Sequence, residues 1–328
     1  MKKYLIIVIL IVFLGLFFIL PPLLKKEKNS PLNFKEEEVI SREEGGSGEQ
    51  KFKMLGSILE SDKTENVLPI RDLKEPLPDL EETAGIAVLF TQDGKGSILY
   101  QKNIDKRLPI ASLTKLMTAM IVIDKYPLEK EIIVSQEDVW TEGESGRLSP
   151  GEKISIKNLL YLSLLVSSND AASALAGVIG ENKFVELMNE KVKEIGLLDT
   201  HFTNPHGLDD KENFSTAQDL AILTQYSLLN YPSLWEILKI EEIDLFSQDH
   251  LGRQILHHVR NTNKLLSEPH VLGGKTGYTQ EAKDTMILAA KAPGKVEGNI
   301  VLVILGVDNR IQRTKILYDW ILKAWRWE

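Results

Sequence analysis

Residues 85–101 read GIAVLFTQDGKGSILYQ. Two short runs, GIAVLF (85–90) and GSILYQ (96–101), are apolar or alternating, and TQDGK separates them. That pattern predicts a β-hairpin with an Asp-Gly turn. Ser112 to Asp124 follows, rich in good helix formers and stopped by Pro127. SIKNLLYLSLLV (155–166) is a strongly apolar helix, broken by SSND before the small-residue helix AASALAGVIG, which closes at Gly180. FVELMNEKVKEIG (184–196) is amphipathic, and STAQDLAILTQYSLL opens with Ser215 and Gln218 in capping-box spacing. Beyond residue 270 the period returns to two. DTMILAAKA (284–292) and NIVLVILGV (299–307) read as strands, and IQRTKILYDWILKAWRW as a closing amphipathic helix. Strand pair, helices, then strands and a helix is an α+β order: one sheet built from both ends of the domain, with helices inserted between.

The chain has 328 residues, 43% hydrophobic and 26% charged, enough for a sizeable globular core. A formal net charge of −8 argues against nucleic acid as a partner, because phosphate binding needs a concentrated basic face. There is no cysteine, so disulfides and thiolate nucleophiles are excluded. The six histidines (His201, His206, His250, His257, His258, His270) form no H-E-x-x-H face, so surface or loop positions are expected and no metal site. No motif calls for a cofactor.

The N-terminus is a separate matter. No charge interrupts Tyr4 to Leu24, a run long enough for a helix to span about 30 Å of hydrocarbon. Pro21-Pro22 and two lysines follow, with no small-residue cleavage site, so residues 1–26 are expected to be an uncleaved transmembrane signal anchor in the cytoplasmic membrane. Residues 27–83 change character, with fifteen acidic against eight basic residues between Glu27 and Ala84 and no sustained period. That composition predicts a solvated tether, with a short helix around Phe52 to Leu59. Residues 84–328 form the folded domain. The basic residues flanking the apolar run are nearly balanced, so charge alone leaves its orientation open.

Three short stretches can do chemistry. In LPIASLTKLM (108–117), Ser112 and Lys115 are three apart, one face of a helix, and the lysine amine can reach the hydroxyl. Ser112 also starts the helix, where unpaired N–H groups favour negative charge. For Lys115 to act as a base its pKa must be lowered, and Ile110, Leu113, Leu116 and Met117 offer burial. Taken alone, a serine cap followed by an exposed lysine explains the pair better. Ser167-Ser168-Asn169-Asp170 is either an N-cap, through Asn169 or Asp170, or a hydroxyl and carboxamide presented into a cleft. Gly273-Gly274-Lys275-Thr276-Gly277-Tyr278 is either a glycine-rich turn or a strand start whose N–H groups serve an oxyanion.

The order S-x-x-K, S-x-N, K-T-G changes that balance, since the three occur together in β-lactamases and penicillin-binding proteins. With TNPHGL (203–208) and N-x-N-x-L-L (261–266), residues 84–328 resemble the D-alanyl-D-alanine carboxypeptidases, the low-molecular-weight penicillin-binding proteins among serine peptidases. The resemblance implies a β-lactamase/transpeptidase-like fold: an antiparallel sheet of about five strands, flanking helices and an inserted helical subdomain. It implies Ser112 as the acylated nucleophile, Lys115 as its base and Ser167 as the proton relay to the leaving amine. Asn169 would bind a substrate amide, Lys275 supply charge near Ser167, and Thr276 bind the terminal carboxylate. Gly277 belongs to the same motif, the N–H groups of Ser112 and Tyr278 would form the oxyanion hole, and Arg310 would meet the carboxylate.

The partners so implied are a peptidoglycan stem peptide as substrate and β-lactams as covalent inhibitors, with the catalytic domain outside the cytoplasmic membrane. The alternatives are a D,D-endopeptidase acting on cross-links, or a penicillin-binding sensor without turnover. No E-x-x-N element of the class A β-lactamases is seen, which makes β-lactamase the weaker enzyme reading. Relatives usually place an alanine-glycine pair after K-T-G, where this chain has Ala282-Lys283. Trp320, Trp325 and Trp327 are expected to pack in the core rather than form a membrane belt.

Overall fold

A computed structural model describes residues 68–327, apart from 93–94 and 144–145. The expected anchor, the helix around Phe52–Leu59, most of the tether and the Asp93-Gly94 turn lie outside the described residues. Among the described residues no helix is long and apolar enough to cross a membrane.

Strands β2 (Ala84–Thr91) and β3 (Gly96–Lys102) form the expected hairpin. At the far end of the chain lie β8 (Val271–Thr279), β9 (Lys283–Lys291) and β10 (Gly298–Val307). The five make one antiparallel sheet in the order β3-β2-β10-β9-β8, so β2 pairs with a strand from the opposite end of the sequence. Next to that seam, Thr83 Oγ1 donates to the Gly306 carbonyl at 3.1 Å across 223 residues.

The central strands are apolar on both faces because both are covered. Ile86, Val88, Val301 and Val303 face the helices of the insertion, and Ala87, Leu89, Leu302 and Ile304 face Leu317, Tyr318 and Ile321 on the last helix. Each large aliphatic side chain buried there contributes on the order of 2 kcal/mol.

The helices are α1 (Lys115–Lys125), α2 (Gln136–Val139), α3 (Ile156–Leu165), α4 (Asn169–Gly177), α5 (Glu181–Ile195), α6 (Ala217–Asn230), α7 (Pro232–Leu238) and α8 (Arg310–Ala324). Helix α5 ends at Gly196, whose φ of 81° gives the left-handed stop. At the start of α6 the cap is Thr216, accepting from the Asp219 N–H, rather than the expected Ser215.

Two features depart from the expectations. The inserted subdomain carries its own sheet: β4 (Glu131–Ile133), β5 (Lys153–Ser155), β6 (Glu242–Gln248) and β7 (Gln254–Arg260), in that order. The alternation in EIDLFSQ and QILHHVR is genuine, but its outward face carries Phe246 and Leu256, which blur the pattern. The boundary expected at 83/84 also moves. Strand β1 (Ile70–Arg71) pairs with β11 (Trp325–Arg326), Leu80 is fully buried, and the Trp320 indole N–H donates to the Pro76 carbonyl at 2.6 Å. The Arg71 guanidinium lies 5.0 Å over the Trp320 ring. A handful of side chains in an otherwise acidic stretch is enough to dock it. Trp320 and Trp327 are buried, as expected of core residues.

Candidate active site

Ser112 does not open an α-helix directly. Ala111–Thr114 form one turn of 3₁₀ helix, and α1 starts at Lys115. Ala111 before it has φ 49°, a left-handed conformation that costs a non-glycine residue about 1–2 kcal/mol. The surroundings hold it there. A Cβ at Gly207, itself at φ 88°, would overlap the Ala111 carbonyl, and a Cβ at Gly277 would stand 2.9 Å from the Ser112 nitrogen. The Thr285 hydroxyl donates to the Ile110 carbonyl at 3.2 Å. The serine turn is thus wedged between the 203–208 loop and strand β8.

Lys115 is fully buried among Ile110, Leu113, Leu116 and Met117. Its Nζ lies 2.8 Å from Ser112 Oγ, 2.6 Å from Asn169 Oδ1 and 2.7 Å from the His206 carbonyl. The first contact allows proton transfer between hydroxyl and amine, and the other two fix the amine in place.

The SSND break supplies the second group. Ser167 has φ 62° and its Oγ accepts from Lys275 Nζ at 2.8 Å. Lys275 is buried in β8 and also donates to the Thr276 carbonyl. Ser168 is the helix cap, accepting from the Ala171 N–H, which leaves Asn169 free for other work. The Asn169 amide bridges two walls: Oδ1 meets Lys115, and Nδ2 donates to the Glu142 carbonyl at 2.6 Å. The second Nδ2 hydrogen lies beyond these two bonds.

Strand β8 forms the opposite wall and is an edge strand, so alternate N–H groups point away from β9. The Thr276 hydroxyl contacts that of Thr262 at 2.6 Å. Tyr278 is 62% exposed at the mouth of a cleft of about 520 Å³, which Ser112, Asn169, His206, Asp209 and Gln280 also line. Arg310, at the start of α8, pairs with Asp284 and donates to the Gly277 carbonyl at 3.1 Å. It braces β8 next to the serine turn. Lys283, at the place where the resemblance leads one to expect glycine, adopts φ 55° and accepts the strain that glycine would avoid.

Every residue expected in the site is therefore within this region, Ser112, Lys115 and Asn169 in one bonded group and Ser167 with Lys275 in a second. One histidine departs from the expectation of surface or loop positions: His257 is buried in β7, whereas His206 is a loop residue, though buried beside Lys115. Burial, with the nearby Lys115 charge, pushes the His206 ring down from 6.5 to about 3. The unfolded chain takes up this proton first, so the contribution to stability is complete above about pH 6.5 and lost as pH falls toward 3. The slope is about 1.4 kcal/mol per pH unit. We expect the melting temperature to drop more steeply between pH 6 and pH 4 in the wild type than in His206→Gln. Parallel curves would contradict this.

The D-alanyl-D-alanine carboxypeptidase family model matches residues 74–309. The chain is 34% identical over 258 residues to the D-alanyl-D-alanine carboxypeptidase DacF of Bacillus subtilis, an alignment covering 73% of this chain and 62% of that protein. It is 36% identical over 259 residues to a D-alanyl-D-alanine endopeptidase of Pseudomonas aeruginosa, covering 76% and 80%. A crystal structure of a D-alanyl-D-alanine carboxypeptidase from Mycobacterium tuberculosis superposes with a TM-score of 0.67 at 27% identity, covering 78% of this chain and 96% of that one.

Proposed function

Because the chain belongs to the D-alanyl-D-alanine carboxypeptidase family, we propose that it removes the terminal D-alanine of peptidoglycan stem peptides through an acyl-enzyme on Ser112. The observation that carries this is the pair of buried lysine–serine contacts, Lys115 with Ser112 and Lys275 with Ser167, each at 2.8 Å.

Lys115 takes the Ser112 proton as Oγ attacks the penultimate D-alanine carbonyl. The N–H groups of Ser112 and Tyr278 hold the oxyanion. The C–N bond breaks as the proton held by Lys115 passes through Ser167, which Lys275 holds, to the leaving amine, so D-alanine departs and Lys115 is a free base once more. Water then hydrolyses the ester, with Lys115 again as base. Lys275 and Thr276 anchor the free carboxylate, Arg310 holds Gly277 and the strand behind them, and Asn169 offers its remaining N–H to the substrate amide. A β-lactam acylates the same serine and blocks it. The apolar run Tyr4–Leu24 supports a single-pass anchor, and a peptidoglycan substrate calls for the catalytic domain on the outer side of the membrane, with the N-terminus inside.

The Pseudomonas relative, named an endopeptidase, favours cross-links as a second substrate. Incubation with a pentapeptide ending in D-Ala-D-Ala and, separately, with a cross-linked dimer divides the readings. Free D-alanine from the pentapeptide is expected. Cleavage of the dimer alone would replace the carboxypeptidase with an endopeptidase, and no product from either, with penicillin still bound, would leave a sensor.

A further inference from the structure

Outside the cleft, one buried cluster of ionisable groups is unused by this chemistry. Glu152, Ser247 and His257 are each at most 7% exposed. Glu152 Oε1 accepts from the Ser247 hydroxyl at 2.6 Å and contacts His257 Nε2 at 2.7 Å, and Ser247 Oγ is 3.1 Å from that same nitrogen. Serine, histidine and glutamate suggest a hydrolytic triad, but the geometry excludes one. In a triad the imidazole stands between hydroxyl and carboxylate, one ring nitrogen to each. Here a single nitrogen and the hydroxyl converge on one carboxylate oxygen, and all three side chains are buried.

The other carboxylate oxygen points along the chain. Glu152 Oε2 accepts from the Ser149 N–H at 2.9 Å, while the Glu152 backbone accepts from Val134 at 2.8 Å and donates to Ser149 at 3.0 Å. Glu152 therefore clips the C-terminal end of the β4–β5 connection to the β6–β7 hairpin. A few residues back, the same connection is held by a second buried carboxylate. Asp170 accepts from the Gly146 N–H at 2.7 Å, the Leu148 N–H at 3.3 Å and the Ser168 hydroxyl. Asp170 adjoins Asn169, whose Nδ2 holds the Glu142 carbonyl of the same connection and whose Oδ1 holds Lys115.

We infer that the Glu152–His257–Ser247 cluster is a positioning device for the catalytic base: it fixes the β4–β5 connection, which with Asp170 orients the Asn169 amide and so aims Lys115 at Ser112. The inference rests on the acyl-enzyme reading above. The carboxylate is suited to this task. Burial pushes the Glu152 carboxyl up, but hydrogen bonds from His257, Ser247 and the Ser149 N–H outweigh that and hold it below the usual carboxylate range. It stays ionised, and charge-assisted bonds are shorter and more directional than neutral ones. A device of this kind acts on the chemical step, because the carboxylate anchor is on β8, across the cleft.

The test is stopped-flow acylation by a fluorescent penicillin, separating the dissociation constant of the initial complex, the first-order acylation rate constant and the final labelled fraction. Glu152→Gln and His257→Gln are expected to lower the rate constant about tenfold, since displacements under 1 Å near the reacting atoms cost that much. The dissociation constant should stay within about twofold and the labelled fraction stay complete. In an Asn169→Ala background, Glu152→Gln should add little, because both changes act through one amide. A wild-type rate constant with a reduced labelled fraction would make the cluster merely structural and overturn the inference. So would a full tenfold loss on top of Asn169→Ala. Should Glu152→Gln fail to fold, Ser247→Ala and His257→Gln carry the same measurement. If the wild type itself were not acylated, the acyl-enzyme reading would fail first.

Discussion

Ser112→Ala abolishes covalent labelling by a fluorescent penicillin and lowers D-alanine release by a factor on the order of 10⁴ or more. No other hydroxyl takes over. Ser167 Oγ is held by Lys275, and the Thr114 side chain is fully buried. The fold survives, because Lys115 keeps Asn169 Oδ1 and the His206 carbonyl as acceptors, and the net loss of one hydrogen bond is about 1 kcal/mol. Intact mass after penicillin treatment, beside a melting curve, checks both parts. A mutant that still gains the mass of the drug would place the nucleophile elsewhere.

The second large effect is at Lys115. With Ser112 intact, removal of the amine leaves the hydroxyl as a poor nucleophile, and acylation falls on the order of 10³-fold or more. Lys115→Ala also empties a fully buried site, which would cost about 2–4 kcal/mol and confuse the result. Lys115→Met is the better probe, since it keeps the apolar stem and removes only the base. It strands Asn169 Oδ1 and the His206 carbonyl, so some loss of melting temperature is expected. The acylation rate of the folded fraction decides the matter. A rate near the wild type would mean that Lys275, acting through Ser167, serves as the base.

The main sheet was legible because two apolar hairpin strands and two long apolar strands stand at opposite ends of the folded domain, and the helices between them carry Gly and Pro stops. The site was legible only jointly. Ser112 and Lys115 alone fit an exposed helix better, and the motifs downstream reversed the reading. What stayed hidden has physical reasons. The His206 contribution to the Lys115 site is a backbone carbonyl, which no side-chain pattern reports. His257 alternates with the exposed His258 along a strand whose other exposed positions include Leu256, so its burial leaves no periodic signature. Glu152 comes after a Pro-Gly turn, where a carboxylate normally faces water. The docking of residues 70–83 depends on Trp320 and Pro76, partners distant in sequence.

The seam between β2 and β10 has a consequence for the order of events during synthesis. Ala87 is opposite Leu302, and the serine turn that follows the first hairpin is enclosed by Gly277 of β8. Closing so long a loop is slow, because its entropy must be lost before the contacts it brings are gained. The hairpin and the serine turn leave the ribosome early, but they have neither sheet partner nor cleft wall until the final strands follow. The geometry at Ser112 is therefore a late property of the chain: the left-handed Ala111 and the placing of Lys115 at the hydroxyl wait until both ends of the domain have met.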